Sequence, residues 1–377
     1  MRSSKPTTCS PALPEPAAER KDCAAAPESA RRRRGATDAP PGKRAAGTLL
    51  ADARTAIAPV LRAAVATLGH PLDRMAGYHF GWCDADGNLR AGAHGKGLRP
   101  ALTLAAAAAC GASPADAVHA GAAVELLHNF SLVHDDVMDA DPLRHGRPTV
   151  WRIWGSTNAT LLGDALQALA FAVLSDGGVP ESAGAPAVIR LARTTATLCH
   201  GQYQDCDFET RPDVTVEDYL SMAAGKTAVL LGCSCALGAL CAGADSRTVA
   251  VLNTFGRNLG LAFQLVDDAI DIWGDPVVTG KPRHSDLRAR KRSFPIVCAL
   301  TSGTPAGAEL ARMYRDPRPM SDADAVRAAE LVDEAGGRQR TQRRADQALR
   351  AALTCLPAGL VVDDLVTLAH VVVQRNR

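Results

Sequence analysis

The sequence predicts an all-α fold, one domain of many helices bundled around a central cavity. Three observations carry that expectation. Ala- and Leu-rich stretches with helical spacing run from about residue 47 to the end, alternating strand-like runs are scarce, and the interruptions are Gly, Pro and Asp clusters near residues 84 to 88, 176 to 186 and 302 to 306. A hydrophobic content of 47% in 377 residues is ample for a packed core.

In chain order, the first segment stands apart. Residues 1 to 46 are rich in Pro, Ala, Ser and Arg, run through Arg31 to Arg34 without a break, and hold almost no large apolar side chains. Such a segment cannot bury enough surface to offset its ordering entropy, so a disordered tail is expected, with the folded domain over 47 to 377. No apolar run of about 7 to 15 residues follows the positive start, which argues against a secretory signal. Glu15, Glu19, Asp22, Glu28 and Asp38 make the tail more acidic than transit peptides usually are. Within the domain, Pro100 suits the first turn of a helix through Ala101 to Cys110 toward Gly111, and Gly274 suits the stop of one through Leu259 to Trp273.

Charge and cysteine usage exclude several classes. A formal charge of +2, from 42 basic and 40 acidic residues, provides no general basic field for nucleic acid. The 11 cysteines include no C-x-x-C pair and read as reduced core thiols of a cytosolic protein. Apolar runs such as Leu104 to Cys110 fall short of the roughly 20 residues of a membrane span, so no transmembrane helix is expected.

The chemistry is concentrated in two aspartate-rich segments, Asp135-Asp136-Val137-Met138-Asp139 and Asp267-Asp268-Ala269-Ile270-Asp271. Helical residues four apart share a face, so Asp135 with Asp139, and Asp267 with Asp271, can each hold one cation. Both segments lie in apolar stretches, where like charges repel and uncompensated burial is costly. Hard oxygen ligands few in number suit magnesium, which keeps waters and shares its remaining positions with phosphates. A diphosphate between the two clamps would complete them. One such string is as readily a solvated face or a helix cap, but two in one apolar domain point to convergent carboxylates. In Gly95-Lys96-Gly97-Leu98-Arg99-Pro100, Lys96 and Arg99 are spaced for two contacts to one diphosphate.

From about residue 47 to the end these motifs form an ordered set that resembles the polyprenyl synthetase family, the trans-isoprenyl diphosphate synthases. The run Leu127-His128-Asn129-Phe130-Ser131-Leu132-Val133-His134 before Asp135 is similar to the family's first aspartate-rich helix. Phe263-Gln264-Leu265-Val266 before Asp267, then Gly274-Asp275 and Thr279-Gly280-Lys281-Pro282, is similar to its second. Gly163-Asp164, Gly201-Gln202 with Asp205, and Lys226-Thr227 lie between them in family order. The resemblance implies an isoprenoid synthase bundle of farnesyl or geranylgeranyl diphosphate synthase type, joining isopentenyl diphosphate to an allylic prenyl diphosphate.

It further implies three magnesium ions held through Asp135, Asp139 and Asp267, a homodimer, and a cytoplasmic location. Asp136, Asp268, Asp271, Gln264, Lys226 and Lys281 join the catalytic set. Lys96, Arg99 and His128 go to isopentenyl diphosphate. Arg144, Lys226, Lys281 and Lys291, with Thr227 nearby, go to the allylic diphosphate. Taken alone, each of these cations reads as a solvated surface charge and Gln264 as a capping amide. His128 alone reads as a core histidine, but it lies two turns before Asp135 and so on the same face.

Two positions depart from the family pattern. Lys96-Gly97 stands where two basic residues are usual, and Arg144-His145 where a double arginine is. Both losses predict weaker isopentenyl diphosphate binding, or a sharper pH dependence if His145 must be protonated to help. Product length in the family follows the floor of an apolar pocket, four and five residues before the first aspartate. Here these are Ser131 and Phe130, which predicts a C15 or C20 product. A terpene cyclase of the same helical class would carry Asn, Ser and Glu in its second motif, and a non-catalytic partner subunit would have lost motif aspartates. All six are present. The tail is similar to that of actinobacterial polyprenyl transferases packaged in encapsulin-type shells, which makes residues 1 to 46 a candidate docking segment.

Overall fold

A computed structural model describes residues 44–90, 95–177, 179–275 and 283–373. The expected tail therefore lies almost wholly outside the described residues. Among these, the fold is all-α apart from one two-stranded hairpin and an isolated bridge between Cys83 and Leu89.

Helix α1 (Ala46–Ala66) buries Leu49, Ala53, Ile57 and Leu61, a stripe at four-residue spacing that lays it on the bundle. After α2 (Leu72–His79), α3 (Leu98–Ala109) starts two residues before the predicted Pro100, which occupies its first turn. Long helices α4 (Val118–Met138) and α6 (Ser156–Ser175) pack together, with the short α5 (Val150–Trp154) beside them. Then come α7 (Glu181–Asp207), α8 (Val216–Ala223), a π turn (Ala224–Ala228) and α9 (Val229–Cys241), which is buried on nearly every face. Leu102, Leu126, Leu127, Leu162, Leu230 and Leu231 meet in the main core with essentially no exposure.

Helix α10 (Ser246–Trp273) is capped by the Asp245 side chain, and Gly274 stops it as predicted. Beyond it, α11 (Ser285–Arg288), α12 (Phe294–Leu300), α13 (Pro305–Arg315) and α14 (Asp322–Glu334) close a smaller core around Ile272, Ile296, Leu310 and Leu331. Helices α15 (Gly337–Cys355) and α16 (Asp363–Val373) complete the domain against α10. Two helical stretches, Ser156–Ser175 and Val216–Cys241, are long and apolar enough to cross a membrane by length and composition, although no such span was expected. The second is 83% buried within the bundle, so its apolar length serves the core. The nine described cysteines are free thiols, but Cys110, Cys206 and Cys355 are half-buried and Cys199 is exposed, so not all of them are core thiols.

Candidate active site

Both aspartate segments end helices. Asp135 and Asp136 lie in the last turn of α4 with Asp139 as its cap, and Asp267, Asp268 and Asp271 occupy the last two turns of α10. A helix C-terminus carries partial negative charge, so carboxylates there add to a field that already repels them. Burial pushes Asp135 up to about 6, with Lys226 opposing and Asp139 adding to the shift. Positive charge is needed, and lysines bring part of it. Lys291 Nζ donates to Asp139 Oδ2 at 3.0 Å, and Lys226 Nζ to Asp205 Oδ2 at 2.6 Å. Burial alone would lower the Lys226 ammonium, but Asp135, Asp205 and Asp139 more than reverse this and it is raised.

The middle aspartates turn away from these pairs. Asp136 is 1% exposed and accepts from Arg144 Nε at 2.8 Å. Arg144 arrives on a hairpin, β1 (Leu143–Arg144) against β2 (Arg147–Pro148), closed by His145 and Gly146 at φ 51° and 73°. A two-residue turn with both φ positive matches the strand twist, and His enters the left-handed region more readily than most residues. The missing second arginine thus falls on a turn tip.

Asp268, 5% exposed, accepts from the Tyr219 hydroxyl, from Gln264 Nε2 at 2.9 Å and from Phe294 N at 2.8 Å. Gln264 Oε1 in turn accepts from Thr227 Oγ1 at 2.6 Å. Asp271, the expected clamp partner of Asp267, accepts from Ser285 Oγ at 2.7 Å and from Asp286 N at 2.8 Å. Asp268 and Asp271 therefore order the chain that delivers Lys291, while Asp267 stays partly buried beside them.

The π turn carries Lys226 and Thr227, and such irregular turns recur at functional sites. A second set of basic groups gathers around His128. Burial first, then Arg99, Arg144, His79 and His145, hold its imidazole well below the ordinary 6.5, so it is neutral at neutral pH. Lys96 is exposed, and its carbonyl accepts from Arg54 Nη1 at 2.9 Å. Gly97 has φ 68°, and a Cβ there would lie 2.6 Å from Arg54 Cγ. A longer residue at 97 is strained by the positive φ and would have to displace the Arg54 side chain.

Among the described residues, no three His, Cys, Asp or Glu side chains converge as a metal cage. The carboxylate oxygens of Asp135, Asp139 and Asp267 are donors of the hard kind that a divalent ion takes beside water and phosphate.

The polyprenyl synthetase pattern matches residues 85–332, well over half of the sequence. The chain belongs to the polyprenyl synthetase family. It is similar to the geranylgeranyl diphosphate synthase of Mycobacterium tuberculosis, 52% identical over 328 residues, 87% of this chain and 93% of that one. Among solved structures it is similar to a polyprenyl synthetase from Streptomyces coelicolor A3(2), with TM-score 0.81 and 44% identity, covering 86% of this chain and 99% of that one. It is also similar to a polyprenyl synthase from Caulobacter crescentus CB15 solved with calcium and isoprenyl diphosphate, with TM-score 0.74 and 30% identity, covering 89% and 100%.

Other expected residues of this polyprenyl synthetase are less involved with the carboxylates. Phe130 is 4% exposed in the main core, its ring edge-on to His134 at 4.9 Å, and Ser131 Oγ donates to the His128 carbonyl at 2.8 Å. Lys281, with Thr279, Gly280 and Pro282, lies outside the described residues. The sequence analysis quoted Asp205 and Asn129 without a role and missed Tyr219, Arg54, His79 and Glu125. Glu125 carried a signal, since it is an acidic residue within the apolar run Ala120 to Leu127.

Proposed function

We propose that this polyprenyl synthetase condenses isopentenyl diphosphate with an allylic prenyl diphosphate, releasing diphosphate and a linear trans product of C15 to C20, farnesyl or geranylgeranyl diphosphate. The observation that carries the reading is the pair of separate cationic groups, Lys226, Lys291 and Arg144 on the carboxylates Asp205, Asp139 and Asp136, and Lys96 with Arg99 at the start of α3, Arg99 being near enough to lower the His128 imidazole. Two diphosphate substrates need two such groups.

Lys226 and Lys291, with Lys281, receive the departing diphosphate. Lys226 and Lys291 each already hold a carboxylate, so phosphate oxygens replace partners of the same charge at little reorganisation. Three magnesium ions held through Asp135, Asp139 and Asp267 would, when bound, supply Lewis-acid stabilisation of the charge on that leaving group. Thr227, Gln264 and Asp268 brace the π turn that aims Lys226. Lys96 and Arg99 hold the second diphosphate, with His128 as a neutral hydrogen-bonding group. On this reading water must be kept from the allylic cation until the double bond captures it. The final proton goes to the released diphosphate, since among the described residues no side chain in the site is placed as a strong base.

The same reading takes a cytoplasmic homodimer, with residues 1 to 46 as a docking segment for an encapsulin-type shell. Co-expressing the shell with a variant lacking that segment tests the last point, and undiminished packaging counts against it. The activity is tested by incubating the enzyme with isopentenyl diphosphate, magnesium and each allylic diphosphate, then measuring product chain length. Products longer by five-carbon steps are expected. Cyclised hydrocarbons or hydrolysis alone would make it a cyclase or a diphosphatase.

A further inference from the structure

Lys96 is a cation flanked by two glycines, Gly95 at φ 96° and Gly97 at φ 68°. Glycine has more backbone freedom to lose than any other residue, so the loop's own sequence does little to direct this lysine. Its aim has to be set from outside the loop, and α1 supplies the contacts.

Arg54 follows the buried Ala53 on α1 and is itself half-buried. Its Nη1 donates to the Lys96 carbonyl at 2.9 Å. Its stem runs across Gly97, where a Cβ would lie 2.6 Å from Arg54 Cγ, 3.4 Å from Arg54 Cδ and 3.5 Å from the Leu50 carbonyl oxygen. One turn of α1 therefore fills the space a side chain at 97 would take, and the guanidinium ends on the peptide group that joins Lys96 to Gly97. The next carbonyl, that of Gly97, accepts from Ala101 N at 3.0 Å, so the clasp runs directly into the first turn of α3. The inner side of the loop meets α4. Glu125 Oε1 lies 3.8 Å from the Cβ position of Gly95. Burial raises the Glu125 carboxyl, and Arg99, Asn129 and Arg54 oppose the rise, so the carboxylate has guanidinium groups from both α3 and α1 as neighbours. Gly95, Lys96 and Gly97 are thus gripped between α1 and α4.

We propose that Arg54 is a positioning residue for isopentenyl diphosphate, aiming Lys96 by bonding the carbonyl of that residue and packing its stem on Gly97. The inference rests on assigning Lys96 to that substrate. An ammonium on a flexible four-carbon stem loses affinity when its backbone is free to wander, because the ordering is then supplied at the moment of binding. The clasp also gives the departure at position 97 a reason. Glycine there lets α1 approach closely enough for the arginine to reach the loop.

The test is steady-state kinetics with each substrate varied at saturating levels of the other, alongside calorimetric binding of isopentenyl diphosphate alone. K96A is the reference and should raise the KM and Kd for isopentenyl diphosphate at least about tenfold, the scale of one hydrogen bond to a charged group. R54M keeps a stem over Gly97 and removes the donor, so it should raise both by about fivefold, a part of the K96A effect. The allylic KM should stay within about twofold and the melting temperature should match the wild type. R54K, which keeps a charged donor, should recover most of the loss. In a K96A background R54M should add nothing, because the side chain it aims is gone. If K96A raises the isopentenyl diphosphate KM and R54M does not, the role of Arg54 is overturned while the site stands. Additive effects in the double variant would mean that Arg54 acts independently of Lys96, which overturns the proposal as well. So does an R54M variant that impairs both substrates equally and melts lower. If K96A itself has no effect on that KM, the assignment of Lys96 falls, and the Arg54 inference with it.

Discussion

Replacing Gly201 by alanine should disable the enzyme through backbone contact alone. A Cβ at 201 would lie 2.2 Å from Lys226 N, 2.6 Å from Gly225 C and 2.8 Å from Lys226 Cα. These atoms belong to the backbone of the π turn and cannot rotate aside, so α7 and the turn must separate by roughly 1 Å to restore ordinary contact. Overpacking of that kind costs about 1–3 kcal/mol. The displacement also draws Lys226 Nζ away from Asp205, weakening a charged hydrogen bond worth roughly 1.5–3 kcal/mol. Since the two losses share one movement, a total near 3 kcal/mol is expected, with a fall in kcat of at least about tenfold. Gly184 on the same helix is the control, because nothing lies within 4 Å of its Cβ position and its φ is not positive. G184A should leave kcat unchanged and stabilise by up to about 1 kcal/mol through helix propensity. Thermal melting and single-turnover elongation read both quantities. If G201A melted and turned over like the wild type, close packing of α7 on the π turn would not be what positions Lys226.

Further outcomes follow from the same geometry. F130A empties a well-packed core position, so it should lengthen the product and lower stability by roughly 3 kcal/mol; an unchanged product distribution removes Phe130 as the pocket floor. Y219F takes one donor from buried Asp268 and should cost about 1–3 kcal/mol in urea unfolding, whereas no change would mean that the bond is dispensable. His128 remains neutral in the folded chain while its unfolded counterpart protonates near 6.5. Its stabilising contribution is therefore complete above that pH and declines as pH falls below it, and H128Q should flatten the urea midpoint between about pH 7 and 5. A steeper slope in H128Q would reverse the assignment.

What was legible in the sequence was local. Pro100 and Gly274 punctuate helices by their own backbone chemistry, and the aspartate spacing announces carboxylates on one face wherever the helix lies. Which carboxylate meets a cation and which a protein donor was not legible, because that depends on segments distant in the chain. Asp136 meets Arg144 only because a type I′ turn folds the hairpin back, and Asp271 is capped by Ser285 and Asp286 across a connection no spacing rule covers. The departures at Gly97 and His145 were readable as departures. Their reasons, an Arg54 side chain filling the space and a positive φ at a turn tip, exist only in three dimensions.

The doubled aspartates now divide into two roles. Consecutive helical residues point about 100° apart, so the two members of an Asp-Asp pair cannot share one target. In the first motif the second member anchors the hairpin that brings Arg144, and in the second motif it anchors Phe294, three residues after Lys291. In each pair the second carboxylate fastens a segment of the protein, and under the proposed function the first is the one left for an ion. D136N should accordingly raise substrate KM while leaving the magnesium concentration for half-maximal rate within about threefold, whereas D139N should shift that magnesium requirement more than tenfold. Titrating magnesium against rate in both variants decides the matter. Equal magnesium shifts in the two would show that both aspartates serve the ion and that the division is wrong.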